Sequence, residues 1–167
     1  MSALSWFPTL VVNPYVSVGP IRFGMTAKEV EQAAGKPLVV TTNRFGETDY
    51  RYFALSIRLS ALEVRVVEVG ICYPKQVQID GIDILRSANA LRELRKLDGM
   101  PFKCAGFVIL PKLGFAVRAF HAASPVERVL TIFANGRWDY IRYRFILGYR
   151  PTAVPKRLRR VLRQRSK

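Results

Sequence analysis

The sequence predicts an α+β fold of two tandem modules, each a helix followed by antiparallel strands, with the helices packed on one sheet face. Two short amphipathic stretches that each end in Gly-x-Pro indicate the helices, and runs rich in Val, Ile, Tyr and Phe follow each one. Short turns separate these runs. The strands are therefore expected to pair antiparallel, because a parallel crossover requires a much longer connection.

The first module is predicted over residues 17–78, and it opens with a helix. Thr26 and Glu29 have the spacing of a capping box, and an apolar stripe follows them. Gly35 can take the left-handed conformation that ends the helix, and Pro37 prevents its continuation. The strands of this module are predicted over residues 38–42, 50–60 and 63–73.

The second module is predicted over residues 79–149, with a helix that Ser87 caps and Gly99 ends. The buried stripe of this helix is expected to consist of Leu91, Leu94 and Leu97. Asn135-Gly136 is a strong hairpin signal, because both residues adopt positive φ readily. The strands of this module are predicted over residues 106–110, 113–120, 126–133 and 140–147.

The two ends of the chain lie outside these modules. Residues 1–16 are predicted to form an N-terminal extension without the basic leader and small-residue cleavage site of a signal peptide. No run of about 18 apolar residues occurs, so no membrane span is expected. Cys72 and Cys104 are expected to be buried free thiols, because nothing indicates an oxidising compartment. Together these features predict a cytoplasmic protein.

The charge is unevenly distributed along the chain. The net charge is +15, from 27 Lys and Arg residues and 12 Asp and Glu residues. Residues 150–167 carry eight of the basic residues and no acid, so the remaining body has a net charge of only +7. The apolar residues of this basic tail recur at helical spacing, but a helix of about ten residues is marginal alone. The tail is therefore either a helix that needs a partner or a solvated segment.

One segment of the first module carries a resemblance to a known group of domains. The run G-P-I-R-F-G-M-T at residues 19–26, followed by Glu29-Val30 and by G-K-P at residues 35–37, resembles the opening of small bacterial domains with the β-lactamase-inhibitor-protein-like fold. Residues 79–85 and 112–115 resemble uncharacterised bacterial proteins that share this opening. The resemblance implies a helix-plus-sheet fold and an inhibitor or toxin-immunity function. The chain lacks the lipidation cysteine of the outer-membrane lipoproteins in that group, so an outer-membrane role is not expected.

The sequence offers no set of residues typical of an enzyme. His121 is the single histidine, and no orienting carboxylate or nucleophile accompanies it. Asp80 and Asp83 are the carboxylate pair that most suggests acid–base catalysis, but Asp in an Asp-Gly sequence is typical of a turn. The glycines match no nucleotide-binding pattern, and no cluster has zinc-ligand spacing. We therefore predict no catalytic residues, no metal and no cofactor.

The predicted function is binding through arginine. Residues 137–144 interleave arginines with aromatics, and on a strand alternate residues form an exposed positive strip. With the tail, the predicted partner-binding residues are Arg137, Tyr140, Arg142, Arg144, Arg150, Arg157, Arg159, Arg160 and Arg163.

Three partners suit this surface. The preferred one is an acidic protein such as a cognate bacterial toxin, which an immunity or inhibitor protein would occlude. The alternative is a nucleic acid, whose phosphates would bind the tail and the strip in a salt-dependent manner. An anionic membrane ranks last, because the possible helix of the tail has only three apolar residues to insert, Leu158, Val161 and Leu162.

Overall fold

A computed structural model of the protein describes residues 9–72, 75–104, 106–121 and 124–139. The helices in these ranges are α1, Ala27–Ala34, and α2, Ala90–Asp98, and a 3₁₀ turn spans Pro125–Glu127. The strands are β1 Thr9–Asn13, β2 Ser17–Val18, β3 Ile21–Arg22, β4 Val39–Thr42, β5 Thr48–Tyr52, β6 Leu55–Leu59, β7 Val66–Cys72, β8 Gln76–Ile79, β9 Ile82–Asp83, β10 Phe102–Cys104, β11 Phe107–Leu110, β12 Phe115–Arg118 and β13 Val129–Phe133.

The strands form two sheets. The larger is an eight-stranded antiparallel sheet with the order β10-β11-β12-β13-β7-β6-β5-β4. It consists of two four-stranded meanders that meet where β13 pairs with β7, with Ile132 opposite Val69. The smaller sheet has five strands in the order β3-β2-β1-β8-β9, and β1 pairs with β8 in parallel. The protein is therefore mostly β.

The predicted fold class, α+β with two tandem helix-plus-strand modules, is wrong. The described chain contains two large sheets and only two short helices. The five-stranded sheet accounts for the error, because β2, β3 and β9 have two residues each. Strands this short cannot display the alternation of apolar and polar residues by which a strand is recognised in a sequence. They form because a neighbouring strand supplies their hydrogen-bond partners.

Helix α1 confirms the predicted capping box. The Thr26 hydroxyl accepts a hydrogen bond from the Glu29 backbone N–H, and the Glu29 carboxylate accepts one from the Thr26 backbone N–H at 2.7 Å. These bonds, from the backbone first and then the side chain of Thr26, lower the pKa of Glu29. At the other end Gly35 has a φ of 78°, and its N–H donates to the carbonyl of Glu31. The helix begins and ends where the sequence predicts.

Helix α2 begins two residues later than predicted. Ser87 does not cap it: the Ser87 hydroxyl accepts a hydrogen bond from the Asn89 backbone N–H, and the helix starts at Ala90. Gly99 ends the helix with a φ of 70°, as predicted. Asp98, whose side chain is fully buried, accepts hydrogen bonds from the backbone N–H groups of Met100, Lys112 and Leu113. This carboxylate fastens the end of α2 to the turn between β11 and β12.

One continuous hydrophobic core joins both sheets and both helices. Val30 and Ala34 of α1 and Ala90 and Leu94 of α2 lie in it. Buried residues paired strand by strand form a row across the large sheet, namely Tyr50, Ile57, Val69, Ile132, Phe115 and Leu110. The helices therefore cover the face of the large sheet that these residues occupy.

Several predicted strands are confirmed with shifted bounds, and one is divided. The run at residues 50–60 spans two strands, β5 and β6, because a tight turn at Phe53-Ala54 interrupts it. Ala54 has a φ of 59°, a conformation that the sequence does not announce because Gly or Asn usually occupies it. The predicted strand at residues 140–147 lies outside the described residues.

Neither described helix is long and apolar enough to cross a bilayer.

By contact density, Met1–Arg137 form one compact unit and Trp138–Lys167 a second. The predicted boundary between residues 78 and 79 falls within β8, and residues 9–13 of the predicted N-terminal extension form β1. As a division of the chain by residue number, the bounds 17–78 and 79–149 stay a prediction. The basic tail at residues 150–167 lies outside the described residues.

Candidate functional site

A cleft with a basic rim lies beside helix α2. Its volume is about 470 Å³, and it is largely open to solvent. We call it the basic cleft and define it by its lining residues, Ala88, Leu91, Arg92, Arg95, Lys96 and Phe120. Leu91 and Phe120 are its apolar floor, and the three cationic side chains that line it all come from α2.

The helical period positions these side chains. Ala90, Leu94 and Asp98 recur every four residues on the face of α2 that is buried against the core. Leu91 and Arg95 follow on the adjacent face and are half-buried, whereas Arg92 and Lys96 are exposed. The helix dipole favours Arg95 and Lys96, which lie in the last turn. It does not account for Arg92, nor for the apolar floor beneath all three cations.

A fourth cation lies behind the floor. Arg128 is only 6% exposed, and its guanidinium carbon lies 5.4 Å from the centre of the Phe120 ring. Its Nη1 donates hydrogen bonds to the carbonyls of Leu85 at 3.1 Å and Ser87 at 2.8 Å, which fixes the segment before α2. The buried Nε of Arg128 has no hydrogen-bond partner among the described residues. Arg128 therefore adds a fixed positive charge beside the basic cleft.

On the face of the large sheet that the helices do not cover, two arginines neutralise a group of acidic side chains. Asp49, Arg58 and Glu68 lie side by side on β5, β6 and β7, and Arg58 contacts Asp49 at 2.7 Å and Glu68 at 2.9 Å. Arg137 contacts Glu47 through both terminal nitrogens, at 2.5 and 2.9 Å. Burial alone would raise the pKa of Glu47, but hydrogen bonds from Arg137 and Asn43 and the charges of Arg137 and Arg58 lower it overall.

This ion-pair network has a consequence for the basic cleft. Among the described residues, every ion pair involves Arg58 or Arg137. Arg92, Arg95 and Lys96 therefore form no ion pair with any residue in the described ranges. Glu93, the nearest acid along α2, does not line the cleft. The cations of the cleft consequently present uncompensated charge to solvent.

Of the predicted partner-binding residues, the structure describes Arg137, which lies in the ion-pair network. Its side chain is 24% exposed, and it contacts Glu68 at 3.5 Å as well as Glu47. A part for Arg137 in binding stays a prediction. The other predicted residues lie outside the described ranges, namely Tyr140, Arg142, Arg144, Arg150, Arg157, Arg159, Arg160 and Arg163.

The residues considered for catalysis lie apart in the fold. His121 is exposed in the turn after β12. Asp80 has a φ of 47° and, with Gly81, forms the tight turn between β8 and β9, as expected for Asp-Gly. Asp83 accepts a hydrogen bond from the backbone N–H of Arg86. That the protein is not an enzyme stays a prediction.

The remaining ligand-type residues are similarly dispersed. Cys72 and Cys104 are free and half-buried, which confirms free thiols but not full burial. Burial raises the pKa of the Cys72 thiol. Within the described parts of the chain, no group of three or more His, Cys, Asp or Glu residues could hold a metal ion.

The predicted buried stripe of α2 is confirmed only in part. Leu91, Leu94 and Leu97 were expected to be buried, but only Leu94 is. Leu91 lines the basic cleft, and Leu97 is 45% exposed. The spacing of Arg92, Arg95 and Lys96, at i, i+3 and i+4, indicates a basic helix face and could have identified the cleft. Phe120, which lines the cleft, and Arg128, which packs against Phe120, come from distant parts of the chain, so no sequence pattern indicates them.

Comparisons with known proteins assign no family. No protein-family model matches the chain, and no curated protein matches it. Among solved structures, an extracellular protein containing an SCP domain from Bacillus anthracis str. Ames is similar, with 10% sequence identity and a TM-score of 0.42. The match covers 72% of this chain and 46% of that one, so the chain spans about half the length of this neighbour. A likeness of this strength says nothing about function.

Proposed function

We propose that this protein is a non-catalytic binding protein for an acidic protein, and that the basic cleft is the contact surface. The kind of binding protein that the sequence resemblance implies is an immunity or inhibitor protein, which occludes a bacterial toxin stoichiometrically. A cytoplasmic location belongs to the same proposal. That the predicted strip and the basic tail also bind this partner stays a prediction.

The observation that carries the proposal is the uncompensated charge of the basic cleft. Arg92, Arg95 and Lys96 line the cleft beside its apolar floor and form no ion pair among the described residues. By contrast, Glu47 and Glu68, on another face, are matched by Arg137 and Arg58. The chain thus matches its buried carboxylates with arginines in one place, and in another it brings three unmatched cations together beside apolar side chains.

The composition of the cleft favours a protein as the ligand. Protein interfaces are enriched in arginine and aromatic residues and combine a dry apolar centre with a polar rim. Phe120 and Leu91 supply the centre, and Arg92, Arg95 and Lys96 supply the rim. A partner segment with one apolar side chain between carboxylates would complement both parts. Charge complementarity of this kind accelerates association and determines which partners bind.

Binding of a defined acidic probe tests the proposal. The probe is a blocked, fluorescent peptide with a central Leu between Asp and Glu residues, titrated with the full chain at physiological salt and followed by anisotropy. Substitution of Arg92, Arg95 and Lys96 by Ala is expected to weaken binding by about tenfold or more, because three rim charges are lost. The matched control carries Ala at three exposed cations of other elements, Arg22, Lys28 and Lys103.

The control separates a site from general charge attraction. The two variants lose the same net charge, so equal losses of affinity would contradict a role for the cleft. Titration of random duplex DNA and single-stranded RNA over a salt series tests the alternative partner. Nucleic-acid binding that is tighter than peptide binding and falls steeply with salt would replace the acidic protein by a nucleic acid.

A further inference from the structure

The outer edge of the large sheet is an exposed apolar strand. β4 is the last strand in the sheet order, and within the described ranges no strand pairs with its second side. Three consecutive residues here, Leu38, Val39 and Val40, are 71%, 51% and 55% exposed. Phe45, in the turn that connects β4 to β5, is 62% exposed. This edge lies on a different element from the basic cleft.

The edge lacks the features that normally prevent strand pairing. Sheet edges are usually protected by charged residues within the strand, by Pro, by bulges or by a covering element. Residues 38–42 contain no charged residue and no Pro, and Pro37 lies just before them. β4 pairs with β5 in regular register over four residues, from Val39 opposite Arg51 to Thr42 opposite Thr48. Its unpaired side is therefore a regular template for another strand.

The charges around the edge are positive. Lys36 and Arg44 flank the strand, Arg51 lies opposite Val39 on β5, and all three are exposed. Residues 36–46 include no acid. The carboxylates that follow, Glu47 and Asp49, are buried in the ion-pair network.

One further acid lies on the helix side of the edge. Glu31 of α1 interacts with Tyr50, the residue opposite Val40. It is thus engaged with the neighbouring strand, and the charges that flank β4 along its length are cations.

We propose that β4 is a docking site for an extended segment of an acidic partner, which adds a strand to the sheet. The segment would place apolar or β-branched residues beside Leu38 and Val40 and carboxylates near Lys36 and Arg44. Main-chain hydrogen bonds supply the affinity in this mode of recognition, and alternate side chains supply the specificity. The proposal does not depend on the function assigned to the basic cleft.

A second copy of this chain fits the edge less well. An antiparallel pair of β4 strands centred on Val40 would place Lys36 of one copy opposite Arg44 of the other. Like charges that face each other across a strand pair are destabilising. The net charge of +15 also opposes self-association. If the incoming strand instead has carboxylates at its two ends, its contacts with Lys36 and Arg44 become attractive.

The test uses a blocked, fluorescent peptide with alternating Val and Thr in its centre and Glu at both ends. Binding to the full chain is followed by anisotropy, and hydrogen exchange of the β4 amides is measured with and without the peptide. We expect the peptide to slow exchange in β4. A peptide with Lys ends is expected to bind about tenfold more weakly, and one N-methylated at alternate amides is expected not to bind, because it cannot pair with the strand.

Matched variants locate the binding. Leu38→Ala combined with Val40→Ala is expected to weaken binding about fivefold or more, because both exposed apolar side chains are lost. The control, Leu62→Ala with Val64→Ala, removes two side chains that are 81% and 47% exposed elsewhere and is expected to change the affinity less than about twofold. Replacement of the three cleft cations by Ala is expected to leave strand binding in place.

Four results would overturn the proposal. The first is no binding of the Glu-ended peptide, and the second is equal binding of the N-methylated peptide, since side-chain contacts alone would then account for the affinity. The third is loss of binding in the cleft variant but not in the Leu38 and Val40 variant, which would place the peptide in the cleft. The fourth is concentration-dependent dimerisation in sedimentation experiments that the Leu38 and Val40 variant abolishes, because a second copy would then be the occupant.

Discussion

Replacement of Arg137 by Ala tests whether this residue stabilises the fold or is free for a partner. In the structure its guanidinium contacts Glu47 through two hydrogen bonds and Glu68 through a third. The substitution leaves Glu47, which is 8% exposed, with the Asn43 amide at 3.0 Å and a distant contact of 3.9 Å to Arg58. A largely buried carboxylate would thus lose its main counter-ion.

The expected cost follows from the burial of the three side chains. Exposed ion pairs contribute roughly 0.2–1 kcal/mol, whereas removing one partner of a fully buried pair costs about 3–5 kcal/mol. The Arg137 side chain is 24% exposed and those of Glu47 and Glu68 are 11% and 12% exposed, so the network lies between these limits. We expect Arg137→Ala to lower the free energy of unfolding by about 2–3 kcal/mol.

Urea unfolding followed by circular dichroism measures this effect. With a slope of about 2 kcal/mol per molar urea, the midpoint should fall by about 1–1.5 M. Arg118→Ala, at an exposed cation of β12, is the matched control and should change the free energy by less than about 0.5 kcal/mol. An Arg137 variant as stable as this control would refute the reasoning and leave Arg137 available to a partner.

The pH dependence provides an independent check. The pKa of Glu47 in the folded protein lies below its ordinary value of 4.5. A carboxyl with a lowered pKa stabilises the fold above that ordinary value, and the contribution is lost as the pH falls through the folded pKa. The difference between wild type and Arg137→Ala should therefore shrink below about pH 4.5. Glu47→Gln combined with Arg137→Ala should cost less than the sum of the single variants.

Three further predictions concern the fold. Asp98→Ala should lower the free energy of unfolding by about 2–4 kcal/mol in urea unfolding, because three partly buried backbone N–H groups lose their charged acceptor. Gly70→Ala should cost about 1–3 kcal/mol, since the new methyl would lie 2.5 Å from the Ser56 hydroxyl oxygen, and adding Ser56→Ala should restore part of the loss. Burial, then the charges of neighbouring groups, raise the pKa of Tyr52 to about 12, so ultraviolet titration should lose one late-ionising tyrosine in Tyr52→Phe.

Local structure could be predicted where a short segment carries its own signal. The capping box of α1 depends on two residues three positions apart, Thr26 and Glu29, and on the glycine that ends the helix. The tight turn at Asp80-Gly81 likewise depends on adjacent residues. By contrast, Ser87 has the chemistry of a cap and lies before an apolar run, yet its hydroxyl bonds to Asn89 without starting the helix. Residue propensity alone does not decide whether the helix begins after Ser87 or after Asn89.

The candidate sites likewise combine features that the sequence predicts with features that only the fold creates. The cations on α2 are neighbours on one helix face, so their proximity follows from the helical period. That their charge is unmatched depends on which arginines the distant carboxylates contact, and Arg137 lies 90 residues from Glu47. The floor of the basic cleft likewise requires Phe120 to lie against α2. The sequence predicts a binding surface at residues 137–163, because it shows charge density along the chain but not charge pairing in space.

By itself, the sequence determined the two helices, most strands of the large sheet and the positive charge of the chain, because each depends on residues close together or on composition. Only the tertiary structure decided that the chain is mostly β. It also decided that Arg137 lies among buried carboxylates, and that β4 stands at a sheet edge with its apolar side chains exposed. These features depend on strand pairing between distant segments, and pairing is chosen by the free energy of the whole core rather than by any one segment.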